Sequence, residues 1–156
     1  MLRTTIAIMA ALVAALCPAP PLWAAGGTVV ALQNGRWHIN AQVTNPGSPA
    51  AGLLMNVRMV NATFEDLNPQ TRRAGFDADE NTQEFISRIP DYRAHGVNAF
   101  TLCLQGGMPG YEGALNSAYR PDGTLKPEYL SRVKRVIEAC DRHNVVVILG
   151  CYYQRQ

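Results

Sequence analysis

The chain has 156 residues, a length typical of a single domain, and 47% of them are apolar while 17% are charged. Its formal net charge of only +2, without any run of Lys and Arg, argues against a nucleic-acid-binding protein. No segment is of low complexity, so the composition is that of an ordinary globular protein.

The first residues have the layout of a secretory signal peptide. Arg3 precedes an apolar stretch at about 6–16, and small residues occupy 24–26. The apolar stretch is well short of the ~20 residues that a membrane-spanning helix needs. Residues 1–25 are therefore predicted to be a signal peptide that is cleaved within 24–26, which makes the protein secreted or periplasmic. The alternatives are an uncleaved membrane anchor and a lipid-modified Cys17.

Three cysteines follow this segment: Cys103, Cys140 and Cys151. Because their number is odd, at least one of them stays unpaired within the chain, although the sequence does not determine which. There is no C-x-x-C spacing and the histidines are isolated, so neither a metal site nor a cofactor is predicted. Cys103 in a predicted strand and Cys140 on an apolar helix face are interpreted as buried free thiols.

Residues 26–52 are predicted to form an amino-terminal β segment. Short β-like stretches alternate there with turn residues, namely Asn-Gly at 34–35 and Asn-Pro-Gly at 45–47. Beyond residue 52, strands and helices alternate. In chain order, the predicted elements are a strand at 53–61, a helix at 79–96, a strand at 97–105, a helix at 127–144 and a strand at 145–153. This order predicts two βαβ units, and hence a parallel sheet with right-handed crossovers.

Both helices carry local signals for their ends and their buried faces. Asp79 is expected to cap the first helix and Pro90 to bend it. The second helix has an apolar face that consists of Leu130, Val133, Ile137 and Cys140. His95 and His143 occupy equivalent positions at the two helix ends, each before a residue that tolerates positive φ. They are interpreted as helix-terminal residues favoured by the helix dipole, and not as catalytic bases.

The connections between these elements are of unequal length. The two strand-to-helix connections, 62–78 and 106–126, are long, whereas the helix-to-strand connections are short. Barrels and open α/β sheets place their sites in such long connections. One strand face is small or polar, as at Asn56, Arg58 and Thr101, and this favours a barrel lumen. The predicted fold class is therefore α/β: the first three strands and two helices of an incomplete (β/α)8 TIM barrel, preceded by the short β pieces.

Four stretches resemble the opening of a cellulase-type glycoside hydrolase barrel: GLLMNVRMVN, IPDYRAHGVNAFTLCLQGG, LKPEYLSRVKRVIEACDRHNVVVILG and CYYQRQ. The resemblance covers about residues 30–156 and implies that residues 53–156 are a truncated barrel domain. It also implies that both catalytic glutamates, the acid/base and the nucleophile, lie beyond Gln156, so that the chain itself holds no catalytic residue. The sequence departs from the family at Thr101, where an Arg is usual, and at Tyr152, where a His is usual.

The resemblance places substrate-binding residues at the strand ends, on the rim of the barrel. These residues are Asn61, Gln105, Tyr152 and Gln154. Arg58 lies below them, and Tyr111 belongs to the long connection after the second predicted strand of the barrel. Arg58 either supplies a positive charge to the substrate or pairs within the barrel, and the rings of Tyr111 and Tyr119 either stack on sugars or pack the loop. The loop carboxylates lack matching partners and are expected to be solvated; they are Glu65, Asp66, Glu112 and Asp122.

The sequence thus predicts the amino-terminal part of an exported, retaining glycoside hydrolase that acts on O-glycosidic bonds, with carbohydrate as its partner. No cofactor, no metal ion, no nucleic acid and, after signal cleavage, no membrane is expected to bind. A non-catalytic carbohydrate-binding or scaffold protein is the alternative. A barrel lyase or deacetylase also stays open, because a fold does not determine a reaction.

Overall fold

The computed structural model describes residues 27–59, 63, 65–105 and 113–152. In this part of the chain, six strands form two separate three-stranded sheets, one antiparallel and one parallel, and two helices follow strands of the parallel sheet. The predicted signal peptide lies outside the described residues.

The antiparallel sheet is built from β1 (Val30–Gln33), β2 (Arg36–Ile39) and β3 (Gln42–Val43), in that order. β1 and β2 form a hairpin in which Leu32 pairs with Trp37. At its turn, Asn34 and Gly35 have φ values of 50° and 71°. Asn and Gly tolerate positive φ at both central positions of a two-residue hairpin loop, which confirms the turn predicted here.

The parallel sheet has the order β4-β5-β6 and is formed by Asn56–Arg58, Ala99–Cys103 and Val146–Gly150. The predicted strand at 53–61 pairs over only three residues, although all three predicted strands are found. In the register, Arg58 lies level with Thr101, and Cys103 lies level with Gly150. The carboxyl ends of β5 and β6 therefore lie at the same edge, with Arg58 two residues below it.

The first helix, α1 (Ala78–Ala94), begins directly after Asp77. Asp77 is the N-cap, not Asp79 as predicted, because its carboxylate accepts hydrogen bonds from Asp79 N (2.7 Å) and Glu80 N (2.9 Å). The helix continues through Pro90 to its end. The second helix, α2 (Pro127–Arg142), begins with Pro127 in its first turn, as the sequence predicts.

The histidines at the helix ends have the structural role that was predicted for them. His95 is the C-cap of α1 and His143 is the C-cap of α2. Each is followed by a residue with positive φ, 88° at Gly96 and 54° at Asn144, which turns the chain directly into the next strand. The His95 ring donates through Nδ1 to Asp91 O at 2.7 Å, so the side chain also binds a carbonyl of the last turn.

Both helices pack on the same core as the middle strand β5. This core contains Phe85, Ile89, Phe100, Leu102, Val136, Ala139, Cys140 and Val145. The ring of Phe100 packs edge-to-face with the rings of Phe85 and Tyr92, at centroid distances of 5.1 and 5.3 Å. The buried face of α2 is rotated from the predicted one: Tyr129 and Val136 are fully buried, whereas Ile137 is 39% exposed.

The antiparallel sheet is tied to the amino edge of the parallel sheet. The buried Asn98, just before β5, accepts from Met55 N at 2.7 Å and donates to Asn45 Oδ1 at 3.1 Å. Asn40 donates to Asn144 Oδ1 at 2.6 Å. The described residues of the amino-terminal segment therefore lie at the amino ends of the parallel strands, and the described parts of the long connections follow their carboxyl ends.

The prediction of an incomplete (β/α)8 barrel is wrong. The described residues form a small α/β arrangement of two helices and two three-stranded sheets, one antiparallel and one parallel. The polar strand face that suggested a lumen has a local explanation. Asn56 and Thr101 hydrogen-bond to each other across β4 and β5, at 2.9 and 3.1 Å, and so satisfy their own polar groups.

Candidate functional site

A stacked pair of tyrosines lies at the carboxyl edge of the parallel sheet, where open α/β sheets usually bind their ligands. The rings of Tyr119 and Tyr152 have centroids 5.2 Å apart and an angle of 13° between their planes. Tyr119 is partly buried, whereas Tyr152 is 73% exposed. Tyr152 therefore presents an accessible aromatic surface that rests on a second ring.

Backbone and side-chain hydrogen bonds hold Tyr119 in place beneath Tyr152. Its hydroxyl donates to Cys151 O at 3.2 Å, just past the end of β6. Burial raises the pKa of the Tyr119 hydroxyl, and the neighbouring Tyr152 and Cys151 raise it further. The phenol is thus held in its neutral, hydrogen-donating form, which suits its bond to the carbonyl of Cys151.

The segment that carries Tyr119 is anchored on both sides. Ala118 is fully buried; its N–H donates to Leu104 O at 2.7 Å, and its carbonyl accepts from Lys126 N at 2.8 Å. The Tyr119 N–H donates to Ser117 Oγ at 3.0 Å. Tyr119 and Leu125 also form an isolated β-bridge, which closes the turn between them. The long connection is therefore folded back onto the edge of the sheet.

The structure brings only some of the predicted substrate-binding residues to this edge. Tyr152 lies at its centre, and Gln105 forms an isolated bridge with Ser117, two residues before Tyr119. Arg58 is exposed but lies two residues below the edge in the register. Three further predicted residues fall outside the described part of the chain: Asn61, Tyr111 and Gln154.

Cys103 is the last residue of β5, two residues after Thr101, which pairs with Arg58. Its side chain is 4% exposed, and burial raises the pKa of its thiol, while the positive charge of Arg58 acts in the opposite direction. A Cβ atom added at Gly150, the partner of Cys103 in the register, would lie 3.2 Å from the sulfur. Gly150 therefore lets the thiol pack closely against β6. Cys103 and Cys140 are buried free thiols as predicted, and Cys151 is an exposed free thiol.

Glu65, Lys126 and Arg132 form a buried ion network that the sequence did not predict. The Glu65 carboxylate pairs with Lys126, and its other oxygen lies 3.4 Å from an Arg132 terminal nitrogen. Glu65 is 9% exposed and Arg132 is 4% exposed. The expectation that Glu65 is solvated is wrong, because the first long connection folds down onto α2. The only hint of this network in the sequence was Arg132, a charged residue that lies three positions after Tyr129, on the face of α2 that is buried.

Asp66 is also buried, at 6% exposure, and the expectation that it is solvated is wrong. Burial alone would raise the pKa of its carboxyl, but hydrogen bonds from Thr71, Asn68 and Leu115 lower it below the ordinary value. Thr71 Oγ1 donates to Asp66 at 2.7 Å and Leu115 N donates to it at 3.1 Å. Asp66 therefore ties the two long connections together. Asp122 is exposed, as predicted, and Glu112 lies outside the described residues.

Tyr129 lies at the centre of the second hydrophobic cluster, which links α2 to the carboxyl edge. Its side chain is fully buried, its hydroxyl donates to Cys103 O at 3.3 Å, and the Arg132 guanidinium lies 5.2 Å from its ring centroid. Burial raises the pKa of this phenol. The surface that carries Tyr119 and Tyr152 therefore rests on a packed and charge-paired layer.

A groove of about 450 Å³ near the carboxyl end of α1 is lined by Arg88, Asp91, Tyr92 and His95. Among the described residues, no three His, Cys, Asp or Glu side chains are grouped so as to hold a metal ion. Neither α1 nor α2 is long and apolar enough to cross a membrane.

No protein family model, no curated protein and no solved structure matches the chain. The resemblance to cellulase-type glycoside hydrolases therefore rests on the sequence motifs alone.

Proposed function

We propose that the protein is an exported carbohydrate-active protein that binds sugar at the carboxyl edge of its parallel sheet. The observation that carries this proposal is the stacked pair of Tyr119 and Tyr152, with the outer ring 73% exposed. The sequence resemblance to glycoside hydrolases and the predicted signal peptide support the same class of ligand and the same location.

An exposed aromatic ring suits the C–H face of a sugar, because that face is apolar whereas the hydroxyl groups lie around its rim. The ring of Tyr152 is positioned before any ligand arrives, since it stacks on Tyr119, whose hydroxyl binds Cys151 O. Binding to a preorganised ring loses little side-chain entropy. Arg58 on β4 and Gln105, two residues after β5, are the proposed hydrogen-bonding groups for sugar hydroxyls.

The described carboxylates favour a binding role for this part of the chain over a catalytic one. Retaining hydrolysis needs two carboxylates about 5–5.5 Å apart on either side of the glycosidic bond. Glu65 is engaged by Lys126 and Arg132, and Asp66 accepts from Thr71 and two backbone N–H groups. We assign no catalytic residue among the described residues, and we expect the chain to bind oligosaccharides without hydrolysing them.

Titration with cellohexaose, xylohexaose, mannohexaose and chitohexaose, followed by NMR, tests the proposal. At least one of them should shift the signals of Tyr119 and Tyr152. Tyr152→Ala should weaken that binding roughly tenfold, which corresponds to ~1.4 kcal/mol, whereas Tyr152→Phe should retain it. Leu32→Ala is the matched control, because Leu32 is 60% exposed on the antiparallel sheet at the opposite edge.

Binding that survives Tyr152→Ala unchanged would overturn the proposed site, and the absence of binding to all four oligosaccharides would overturn the proposed ligand class. Release of reducing sugar by the purified chain would show that its role is catalytic.

A further inference from the structure

The first described residues of the chain bind to the carboxyl end of α2. Asp141, in the last turn of this helix, accepts hydrogen bonds from the backbone of two successive residues, Gly27 N to Oδ2 at 2.9 Å and Thr28 N to Oδ1 at 2.7 Å. Thr28 Oγ1 also donates to Asp141 O at 3.0 Å. Both carboxylate oxygens and a carbonyl of the helix end are therefore used to hold these two residues.

The electrostatics of this position favour a cation next to Asp141. The carboxyl end of a helix carries the negative end of the helix dipole, so an acidic side chain there is disfavoured unless positive groups face it. Hydrogen bonds from Gly27 and Thr28, against a small opposing effect of burial, lower the pKa of Asp141, and Arg142 adds a weaker effect of its charge. A full positive charge at Gly27 N would interact favourably with both the carboxylate and the helix end.

Gly27 is also one of the first residues of the mature protein that the predicted cleavage range allows. The small residues at 24–26 are the predicted cleavage region, and the bidentate contact with Asp141 begins at the next position. The contact at Asp141 is independent of the sequence pattern, and within the predicted range it favours cleavage of the bond between Gly26 and Gly27.

We propose that Asp141 and the carboxyl end of α2 form a binding site for the α-ammonium group that proteolytic removal of residues 1–26 creates on Gly27. This inference rests on the export that is part of the proposed function. A processing endopeptidase adds water across the Gly26–Gly27 peptide bond. The carbonyl of Gly26 then becomes a carboxylate on the released peptide, and the nitrogen of Gly27 becomes an ammonium group on the protein.

Processing replaces a neutral N–H donor at 2.9 Å from Asp141 with a charged donor at the same place. Since the acceptor is a carboxylate in both forms, the added charge contributes the attraction of an ion pair at a partly exposed site. The ammonium form is thereby favoured, and the pKa of the Gly27 amine rises above the ordinary range of about 7.7–8.0.

Among the charged and polar groups near Gly27, Asp141 is the expected partner of the amine. No side chain from Gly27 to Gln33 is ionisable, and the neighbouring contact is made by Asn40 and Asn144. On α2, Glu138 pairs with Lys134 at 3.2 Å, Arg142 is a cation, and His143 is the C-cap.

The test inserts the recognition sequence of a site-specific protease directly before Gly27 in the full chain, so that cleavage leaves Gly27 as the first residue. After ¹³C-methylation of the amines, NMR measures the pKa of the Gly27 amine in the cleaved protein. It should be about 0.5 to 1 unit higher than in Asp141→Asn, which is the size of effect expected for a partly exposed ion pair. Glu138→Gln, which removes the same charge one turn earlier, is the control and should leave the pKa unchanged.

An equal pKa with and without the Asp141 carboxylate would overturn the ammonium site. A second measurement needs no variant at Asp141. Because the amine pKa is raised on folding, its stabilisation is present below about pH 8 and is lost as the pH rises through the folded value. The Tm of the cleaved chain should therefore fall more between pH 7 and 9.5 than that of the uncleaved chain, and equal falls would contradict the proposal.

The processing position is tested separately, by mass spectrometry of the protein exported from a secreting host. A first residue at Gly27 supports the proposed cleavage, and any other first residue overturns it. Because sugar binding is measured at Tyr152, at the other edge of the sheet, a failure of the sugar proposal is distinguishable from a failure of this one.

Discussion

A carboxylate oxygen of Glu65 lies 3.4 Å from a terminal nitrogen of Arg132, and both side chains are almost completely buried. Glu65 belongs to the connection between β4 and α1, and Arg132 belongs to α2, 67 residues further along the chain. The pair thus holds the first long connection against α2. Arg132 also lies 3.8 Å from Asp79, in the first turn of α1, so that the network spans both helices.

Glu65→Gln is expected to destabilise the protein by about 3 kcal/mol. It leaves the buried Arg132 with only the exposed carboxylate of Asp79, 3.8 Å away, and breaking a buried ion pair from one side is costly. The free energy of unfolding from urea denaturation measures the effect. The control is Glu138→Gln, which breaks the exposed pair with Lys134 and should cost less than 1 kcal/mol. Equal losses in the two variants would show that the Glu65 network contributes no more than a surface pair.

Asp66→Asn is expected to destabilise the protein by about 1–2 kcal/mol at pH 6, because the carboxylate accepts hydrogen bonds that join the two long connections. The pKa of Asp66 is lowered on folding, so its ionised form stabilises the protein above the ordinary value of 3.8, and this contribution is lost as the pH falls through the lower folded value.

The difference in unfolding free energy between wild type and Asp66→Asn should therefore shrink at pH 3. Asp122→Asn, at an exposed turn where the carboxylate accepts from Thr124, is the matched control and should have a smaller effect. A difference at Asp66 that is the same at pH 3 and pH 6 would contradict a role for the ionised carboxylate.

The cysteines are expected to differ sharply in reactivity. Iodoacetamide at pH 8 should modify Cys151, which is exposed, and should leave Cys103 and Cys140 unmodified until the protein is unfolded. Burial raises the pKa of the Cys140 thiol from its ordinary value of 9.0 to about 12. Peptide mapping by mass spectrometry identifies the modified residues. Modification of Cys140 at a rate similar to that of Cys151 would show that the core around α2 opens readily.

The same pKa predicts how the protein responds to alkali. The thiol of Cys140 ionises at a higher pH in the folded state than in the unfolded state. Its contribution to the free energy of unfolding is therefore fully present below about pH 9 and is lost progressively between about pH 9 and 12. Cys140→Ala should weaken this part of the pH dependence in urea denaturation.

β6 is an outer strand of the parallel sheet, and it exposes apolar side chains there. Ile148 is 42% exposed and Leu149 is 41% exposed. Outer strands with exposed apolar residues pair readily with other chains, and a lysine on such a strand opposes this. Ile148→Lys should therefore slow aggregation at 37 °C, measured by light scattering, roughly several-fold.

Leu67→Lys is the matched control for this variant, because Leu67 is 57% exposed but lies in a connection and not on a strand. If both lysine variants slow aggregation equally, net charge and not the strand edge is responsible.

Local features of the fold could be predicted from the sequence because neighbouring residues decide them. The Asn34-Gly35 turn follows from the tolerance of these residues for positive φ, and Pro127 and His143 lie at the start and the end of α2 as their backbone chemistry requires. The alternation of strands and helices followed from apolar periodicity. The burial of Cys103 and Cys140 followed in the same way, from their positions on apolar faces.

Only the tertiary structure decided which faces meet and whether the parallel strands belong to a barrel. Each residue turns an α-helix by about 100°, so α2 can bury either Ile137 or its neighbour Val136, and it buries Val136 because α1 and β5 pack on that side. The polarity of Asn56 and Thr101 is equally consistent with a lumen and with a mutual hydrogen bond across two strands. Glu65 and Arg132 are 67 residues apart, and no local pattern relates them. The sequence by itself therefore determined the elements and their ends, whereas long-range contacts decided the closure of the sheet, the buried ion pair and the stacking of Tyr119 on Tyr152.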